Sequence, residues 1–348
     1  MRTLALLAML LFVPVAIATA AVTAQGDAIP GASGTVWVTE RTPGSSSVAA
    51  FDAATGDLLG WTPVGSAPIG IVVPQGSDYA YTSDEAADQM SVISRDAIEV
   101  VAQIPMGPAS KPHHLMASPN GKWIYVGEYG HNVVGIVDTS RNENVADYVA
   151  SGNPLAKTHA VWISRNGKDL YATNEGTTQS SPGTLSKLDA QTGELLWEVP
   201  IGIRPSEVLV TNNGKTAYVS VRNEGVVRLV DVSGNQPVVG TSVPIGTQPD
   251  TLRLSNDGRT LVVGLRGTPQ LAFMDTETLA VRKLTVAGHG ISGHEWLSAN
   301  GKYTFVAMES PGSLVTVDTE TGEVLRDTPY PTGLLRPHGV FYEPRVLR

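Results

Sequence analysis

The sequence predicts an all-β fold, a seven-bladed β-propeller of four-stranded antiparallel blades, on three observations. First, a glycine turn recurs six times: "PQGSD" (74–78), "SPNGK" (118–122), "SRNGK" (164–168), "TNNGK" (211–215), "SNDGR" (255–259) and "SANGK" (298–302). Each lies between short apolar runs such as "WIYVGE" or "TLVVGL", and Asn-Gly between such runs marks a hairpin because the turn needs positive φ. Second, a segment of the type "LSKLDAQTGELL" recurs with its acidic anchor at Asp52, Asp138, Asp189, Asp231, Asp275 and Asp318, and in degenerate form at Ser94. The anchors are 42 to 51 residues apart, the widest gap holding an insertion, "TTQSSPG", at 177–183. A four-stranded unit of about 40–45 residues is the period of a propeller blade. Third, the ends are complementary. The repeats begin with "GTVWVTE", a second strand lacking a first, and finish with "RPHGVFYEP", a first strand lacking a second. Residues 338–343 therefore supply the inner strand of the first blade and close the ring, which leaves only short protected edges.

Along the chain, Met1-Arg2, the apolar run to Ala18 and the small residues ending at Ala20 or Ala24 have the layout of a secretory signal peptide, assigned to 1–24. Pro14 interrupts that run, and it is short for a membrane span, which needs about 20 residues. Residues 25–33 read as a flexible lead-in, and 34–348 as one propeller domain. In each blade, strand a precedes the glycine turn, strand b follows it, strand c ends at the acidic anchor, and strand d commonly leaves through Gly-x-x-Pro. The repeated Asp reads as a turn cap, bonding the backbone of its own T-x-T-G loop. Trp123, Trp162, Trp197 and Trp296 lie in or beside strands and read as packing between blades.

Composition narrows the function. The chain has no cysteine, which excludes disulfides, thiolate metal sites, a cysteine nucleophile and C-x-x-C-H haem attachment. A net charge of −9 without a basic run argues against nucleic acid as a partner. The mature protein is expected to be exported, to the periplasm or beyond, monomeric and not membrane-spanning. No G-x-S-x-G elbow, P-loop or H-E-x-x-H motif is present.

The histidines supply the functional signal. In an antiparallel meander the d–a and b–c connections share one face of the disc. Strand a begins with His113-His114, His159, His294 and His338 in four blades, and with Ser206-Glu207 and Asp250 in two others. Strand b ends there with Glu40, Asp84-Glu85, Glu128, Glu175, Glu224 and Glu309, and loop residues His131 and His289 fall there too. All seven histidines thus map to one face. His113-His114 and Glu128-His131 are expected to be neighbours, and the strand-a histidines to form two pairs facing across the channel mouth. Neutral imidazole with carboxylate and no sulfur suits a copper or zinc ion. His113, His114, His159, His294, His338, Glu128, Glu175, Glu309 and His131 are the candidate ligands.

The segments "IYVGE", "LYATNEG" and "AYVSVRN", each followed by V-x-x-V/L-D and T-G-E/D, resemble the YVTN-type repeat of exported bacterial and archaeal propellers. That resemblance implies the fold and leaves the activity open. "PHHLMASPNGKWIYV" is similar to the repeat of lactonase-type propellers related to 6-phosphogluconolactonase. A more distant similarity is to the haem propeller of cytochrome cd-type nitrite reductase. In architecture the histidine-lined face resembles the copper hub of the nitrous oxide reductase propeller. The expectation is a binding protein for a metal ion or small ligand. A hydrated channel rim with no ligand, a protein- or glycan-interaction scaffold and a lactonase-like hydrolase are the alternatives, with a metal-dependent oxidoreductase as a further enzyme class. The lactonase resemblance implies His294, Glu295, His338 and Arg336 or Arg204 as catalytic candidates, acting as base and oxyanion cation. The Pro-Arg-His expected of that group is replaced here by "RPH" at 336–338 and "SGH" at 292–294.

Overall fold

The glycine turns set the hairpins. Gly76, Gly121, Gly167, Gly214, Gly258 and Gly301 each take φ of 69–75°, a conformation glycine enters without steric cost. The preceding asparagine stays right-handed and contributes its side chain instead: Asn120 Oδ1 accepts from the Lys122 amide at 3.1 Å. The acidic anchors cap the opposite turns as expected. Asp52 Oδ1 accepts from the Ala54 and Thr55 amides, both at 2.8 Å, and Asp189, Asp275 and Asp318 do the same in their blades.

The computed structural model describes residues 18–20, 28–330 and 336–344. Seven sheets of four antiparallel strands form the ring. Blade 1 joins Pro337–Glu343 to Thr35–Glu40, Ser47–Asp52 and Leu58–Pro63, with Val38 opposite Val340 and Thr35 opposite Glu343. Blades 2 to 7 span 68–105, 112–149, 157–203, 205–244, 249–286 and 291–329. The expected closure is present, with the strand beginning one residue earlier, at Pro337. Two short 3₁₀ turns, Glu85–Ala87 and Arg222–Glu224, are the helical segments among the described residues. None is long and apolar enough to cross a membrane. Apart from Ala18–Ala20, which pair in parallel with 284–286, the expected signal segment lies outside the described residues. Within the expected lead-in, Ile29 and Ala32 are buried and the Tyr303 hydroxyl donates to the Pro30 carbonyl at 2.5 Å, while residues 28, 30, 31 and 33 are exposed.

The apolar core is divided into seven clusters, one between each pair of neighbouring blades. This follows from the pleat. Alternate residues of each strand point to opposite faces of the sheet, and each face meets a different neighbour. Trp197 packs on Tyr171 between blades 4 and 5, their ring centroids 6.0 Å apart, as the sequence predicts. Trp296 lies between Phe341 at 4.7 Å and the Arg253 guanidinium at 4.2 Å.

A bulge near the start of every inner strand is the feature that aims side chains into the channel. Regular pairing with strand b breaks between Pro112 and Leu115, Pro205 and Val208, Pro249 and Leu252, Ser292 and Glu295, Pro337 and Val340, and Pro68 and Ile71. In blade 4 it breaks around His159. Bulges of this kind re-aim side chains and leave an amide without its ladder partner. In four blades a strand-b hydroxyl supplies that partner. The Gly339, Gly70, Ala160 and Glu207 amides donate to Thr39, Ser83, Thr173 and Ser220 oxygens at 2.7–3.2 Å. The same hydroxyls donate onward to the bulge carbonyl of the next blade, at Ile69, His113, Ser206 and Asp250. Where the strands approach most closely, a side chain is excluded: a Cβ at Gly339 would collide with the Ile69 carbonyl oxygen.

Candidate functional site

Four of the seven bulges carry the strand-a histidines, and their rings meet inside the channel. Ring-centroid distances are 4.9 Å for His113–His114, 4.3 Å for His113–His159, 4.8 Å for His114–His159, 4.7 Å for His114–His294 and 4.2 Å for His294–His338. The two pairs expected across the mouth are therefore one continuous chain of five imidazoles, all buried. Burial pushes His113, His159, His294 and His338 well below the ordinary imidazole value, and neighbouring imidazoles and guanidiniums add to this. Four cations crowded together in a dry space would be unfavourable, so these rings are neutral.

Their nitrogens differ in what they have left to offer. His159 Nδ1 donates to the Ser206 carbonyl at 2.9 Å, which fixes the tautomer and leaves Nε2 as a bare lone pair. That Nε2, His113 Nδ1, His114 Nε2 and His294 Nε2 are buried with no hydrogen-bond partner. One ligand atom from each of His113, His114 and His159 lies within 4.8 Å of the others. His338 is different. Arg41 donates to its Nε2 at 3.3 Å, since guanidinium is only a donor, and its Nδ1 then donates to Glu309 Oε1 at 3.2 Å. Both of its nitrogens are engaged.

The predicted carboxylates separate into two groups. Glu175 lies beside the cluster, its Oε1 4.0 Å from His159 Nε2. It accepts from the Tyr129 hydroxyl at 2.8 Å and from Arg204 Nε at 3.2 Å. Glu309 reaches it through His338. Glu128 and His131 do not join it. Glu128 is opposite Pro112 in the ladder, but its carboxyl turns toward Gly135 on the third strand and accepts from His131 Nδ1 at 2.9 Å. His289 likewise forms its own pair, with Asp327 at 2.9 Å. Arg336 is partly exposed and lies 3.5 Å from Glu309.

Below the imidazoles lie two carboxyl groups of opposite behaviour. Burial pushes Glu295 up to about 8, so it holds its proton at neutral pH. Burial works the same way on Glu207, but the Arg253 guanidinium at 2.9 Å holds it below the usual carboxylate range. The Glu295 effect is testable. The folded protein keeps a proton there that the unfolded chain releases near the ordinary value, so this contribution to stability shrinks as pH rises toward 8. Glu295→Gln, which cannot ionise, is expected to show a flatter pH dependence of the urea midpoint between pH 5.5 and 8.5 than wild type. Identical slopes would show that Glu295 ionises normally.

Several residues of the site carried no individual signal in sequence. Arg41, Tyr129, Arg222 and Arg266 each directly follow a strand b, as does Glu85, which the acidic strand ends had already marked, and the backbone repeats a single device there. Each amide bonds the carbonyl of the residue that precedes an inner-strand proline, as in Arg222 to Arg204 at 2.9 Å and Arg266 to Gln248 at 3.0 Å. Arg204 and Gln248 hold left-handed φ of 57° and 48°, a conformation that costs a non-glycine residue energy and concentrates at functional sites. Arg222 is tied to Asp250 through Nε at 3.1 Å and to Glu175 at 3.5 Å. Despite burial, which works the other way, Arg222 holds the Asp250 carboxyl well below its ordinary value. Alignment of the residue after each strand b, "TER", "SVR" and "GLR", was the signal that could have found these arginines.

With this geometry in place, the comparison with known families is decisive for kinship. A sequence model described as a YNCE-like beta-propeller matches residues 80–345. The chain belongs to that family. Among curated proteins none matches the YNCE-like chain significantly. Among solved structures, Kuenenia stuttgartiensis hydrazine synthase superposes with a TM-score of 0.71 at 20% identity, covering 81% of this chain and 95% of that one. The periplasmic gluconolactonase PpgL of Pseudomonas aeruginosa gives 0.68 at 18% identity, covering 89% and 98%. The dihydro-heme d1 dehydrogenase NirN, in complex with DHE, gives 0.60 at 15% identity, covering 91% and 76%. At these identities the likeness is one of fold.

Proposed function

We propose that this YNCE-like propeller is an exported metal-binding protein that holds a copper or zinc ion on His113, His114 and His159. One observation carries the reading: three converging, buried imidazoles each keep a nitrogen without a hydrogen-bond partner. A buried polar atom left unsatisfied costs about 1–3 kcal/mol, and a coordinated ion supplies the missing partner for all three. Bonds of about 2.0–2.1 Å to zinc require each nitrogen to move by under about 1 Å, within reach of ring rotation about χ2. His294 Nε2 is a fourth donor on the adjoining ring, and the Ser206 carbonyl orients His159 as outer-shell acceptors do in metal sites. Nitrogen donors without thiolate fit Cu(II) and Zn(II) best.

The hydrolase reading draws less support. Glu295 is protonated up to about 8 and accepts from the Thr251 hydroxyl, so it is a poor general base at neutral pH. His338 has no free nitrogen, and Arg336 is committed to Glu309.

The test is calorimetric titration of Cu(II) and Zn(II) into chelator-stripped protein, beside a His113→Ala, His159→Ala double variant. Wild type is expected to bind one ion tighter than about 10 μM, and the double variant at least about tenfold more weakly. Equal affinity in the two proteins would sink the proposal. Mass spectrometry of protein recovered from its native compartment checks the export half, with the mature chain expected to begin at residue 21 or 25.

A further inference from the structure

Above the imidazole cluster, the channel mouth widens into a cavity of about 240 Å³ bordered by Arg41, Arg204, Arg222, Arg266, His113 and His159. We propose that this cavity binds a small oxyanion, a carboxylate or phosphate, gripped by the guanidinium groups, whether or not the imidazoles hold a metal. The inference goes beyond the metal reading and rests on charge and space.

Four guanidiniums border the cavity, and Glu85 is the one carboxylate among the described residues that lines it. Behind the lining, Arg204 and Arg222 share Glu175, while Arg222 and Arg266 share Asp250. Three cations thus lean on two carboxylates. Arg41 has none within ion-pair distance among the described residues. Its Nη1 meets the neutral His338 ring, and its Nε is buried without a hydrogen-bond partner. A half-buried guanidinium with an unmet donor and cationic neighbours is costly unless an anion completes it.

The donor chemistry selects the ligand. Guanidinium presents a planar fork of N–H groups that matches carboxylate and phosphate oxygens in pairs, and charge assistance makes such bonds about twice as strong as neutral ones. Gln248 also borders the space. Size sets the upper limit. At roughly 30 Å³ per water the cavity holds about eight waters, less than the roughly 300–1,000 Å³ of sites for drug-sized ligands. Phosphate, oxalate and other short dicarboxylates fit; a nucleotide or a porphyrin does not.

The probes are potassium oxalate and inorganic phosphate, titrated into chelator-stripped wild-type protein by calorimetry and followed by thermal melting. At least one is expected to bind tighter than about 1 mM and to raise the melting temperature. Arg41→Gln is expected to weaken that binding at least about tenfold. Arg204→Gln provides the same test if Arg41→Gln does not fold. A response to oxalate alone identifies a carboxylate ligand, and a response to phosphate alone a phosphate ligand. The proposal is overturned if neither probe binds below about 10 mM, or if affinity is unchanged in the folded arginine variants. Binding that appears only after a metal is restored also overturns it, because the anion would then be held by the ion.

Discussion

Deletion of residues 336–348 is expected to abolish cooperative folding. The inner strand Pro337–Glu343 is shared between two seams of the ring. Val340 and Tyr342 belong to the cluster between blades 7 and 1, while Phe341 borders those on the other side. Its edge also carries Glu343, which accepts from Trp37 Nε1 at 3.1 Å and pairs with the buried Arg95. Burying each large apolar side chain is worth about 1.5–3 kcal/mol, and losing the Glu343 carboxylate removes the buried Arg95 guanidinium's acceptor on this strand. Together these losses approach the whole net stability of a domain, about 5–15 kcal/mol. The open ring would also expose two strand edges able to pair with other chains. The measurement is thermal unfolding with light scattering. A truncated protein that melts within about 5 °C of wild type and does not aggregate would show that the ring does not depend on this closure.

Replacing Arg222 with methionine is the single substitution expected to destabilise most. Arg222 is buried between Asp250 and Glu175, whose side chains are 1% and 3% exposed. Methionine preserves much of the volume and removes the charge, leaving Asp250 with the Ser206 hydroxyl and, as its remaining cation, Arg266 at 3.5 Å. Breaking a buried pair from one side costs about 3–5 kcal/mol, or a melting temperature lower by about 10 °C for a chain of this size. Adding Asp250→Asn should recover part of the loss, because an amide does not leave a buried charge behind. A single-variant loss under about 1 kcal/mol would mean that water or a neighbouring cation already serves these carboxylates.

The fold was legible because its signals are local and repeated. Gly121 and Asp138 each satisfy a turn within a few residues, and six or seven copies of the same solution add up to an architecture. The convergence of His113, His114, His159, His294 and His338 was legible too, because strand order assigns them to one end of the channel. What could not be read was side-chain direction. Glu128 faces Pro112 in the ladder, yet turns outward to His131, because one position along a strand reverses the face. The bulges that lift two residues into the channel have no fixed motif, and their partners are as varied as Thr39, Gly127 and Ala307. The arginines at 41, 222 and 266 were missed for a related reason: each lies one residue past a strand, and only alignment of the repeats marks that position.

The paired hydroxyl bonds at the bulges divide the ring into joints that carry this tie and joints that do not. Thr39, Ser83, Thr173 and Ser220 each tie two neighbouring blades, whereas blades 3, 6 and 7 have Gly127, Gly264 and Ala307 at that place and no oxygen to offer. The joints between blades 3 and 4, 6 and 7, and 7 and 1 thus lack this hydroxyl tie, and blades 1, 3, 4 and 7 carry the five channel imidazoles. Across the joint between blades 3 and 4, the Tyr129 hydroxyl donates to Glu175 at 2.8 Å, at the rim rather than at the bulge. An ion drawing His113 and His159 together would act as the missing rivet across the joint between blades 3 and 4. Amide hydrogen exchange should then slow on metal addition in 112–117 and 157–163 more than in 205–210, which carries none of the three imidazoles.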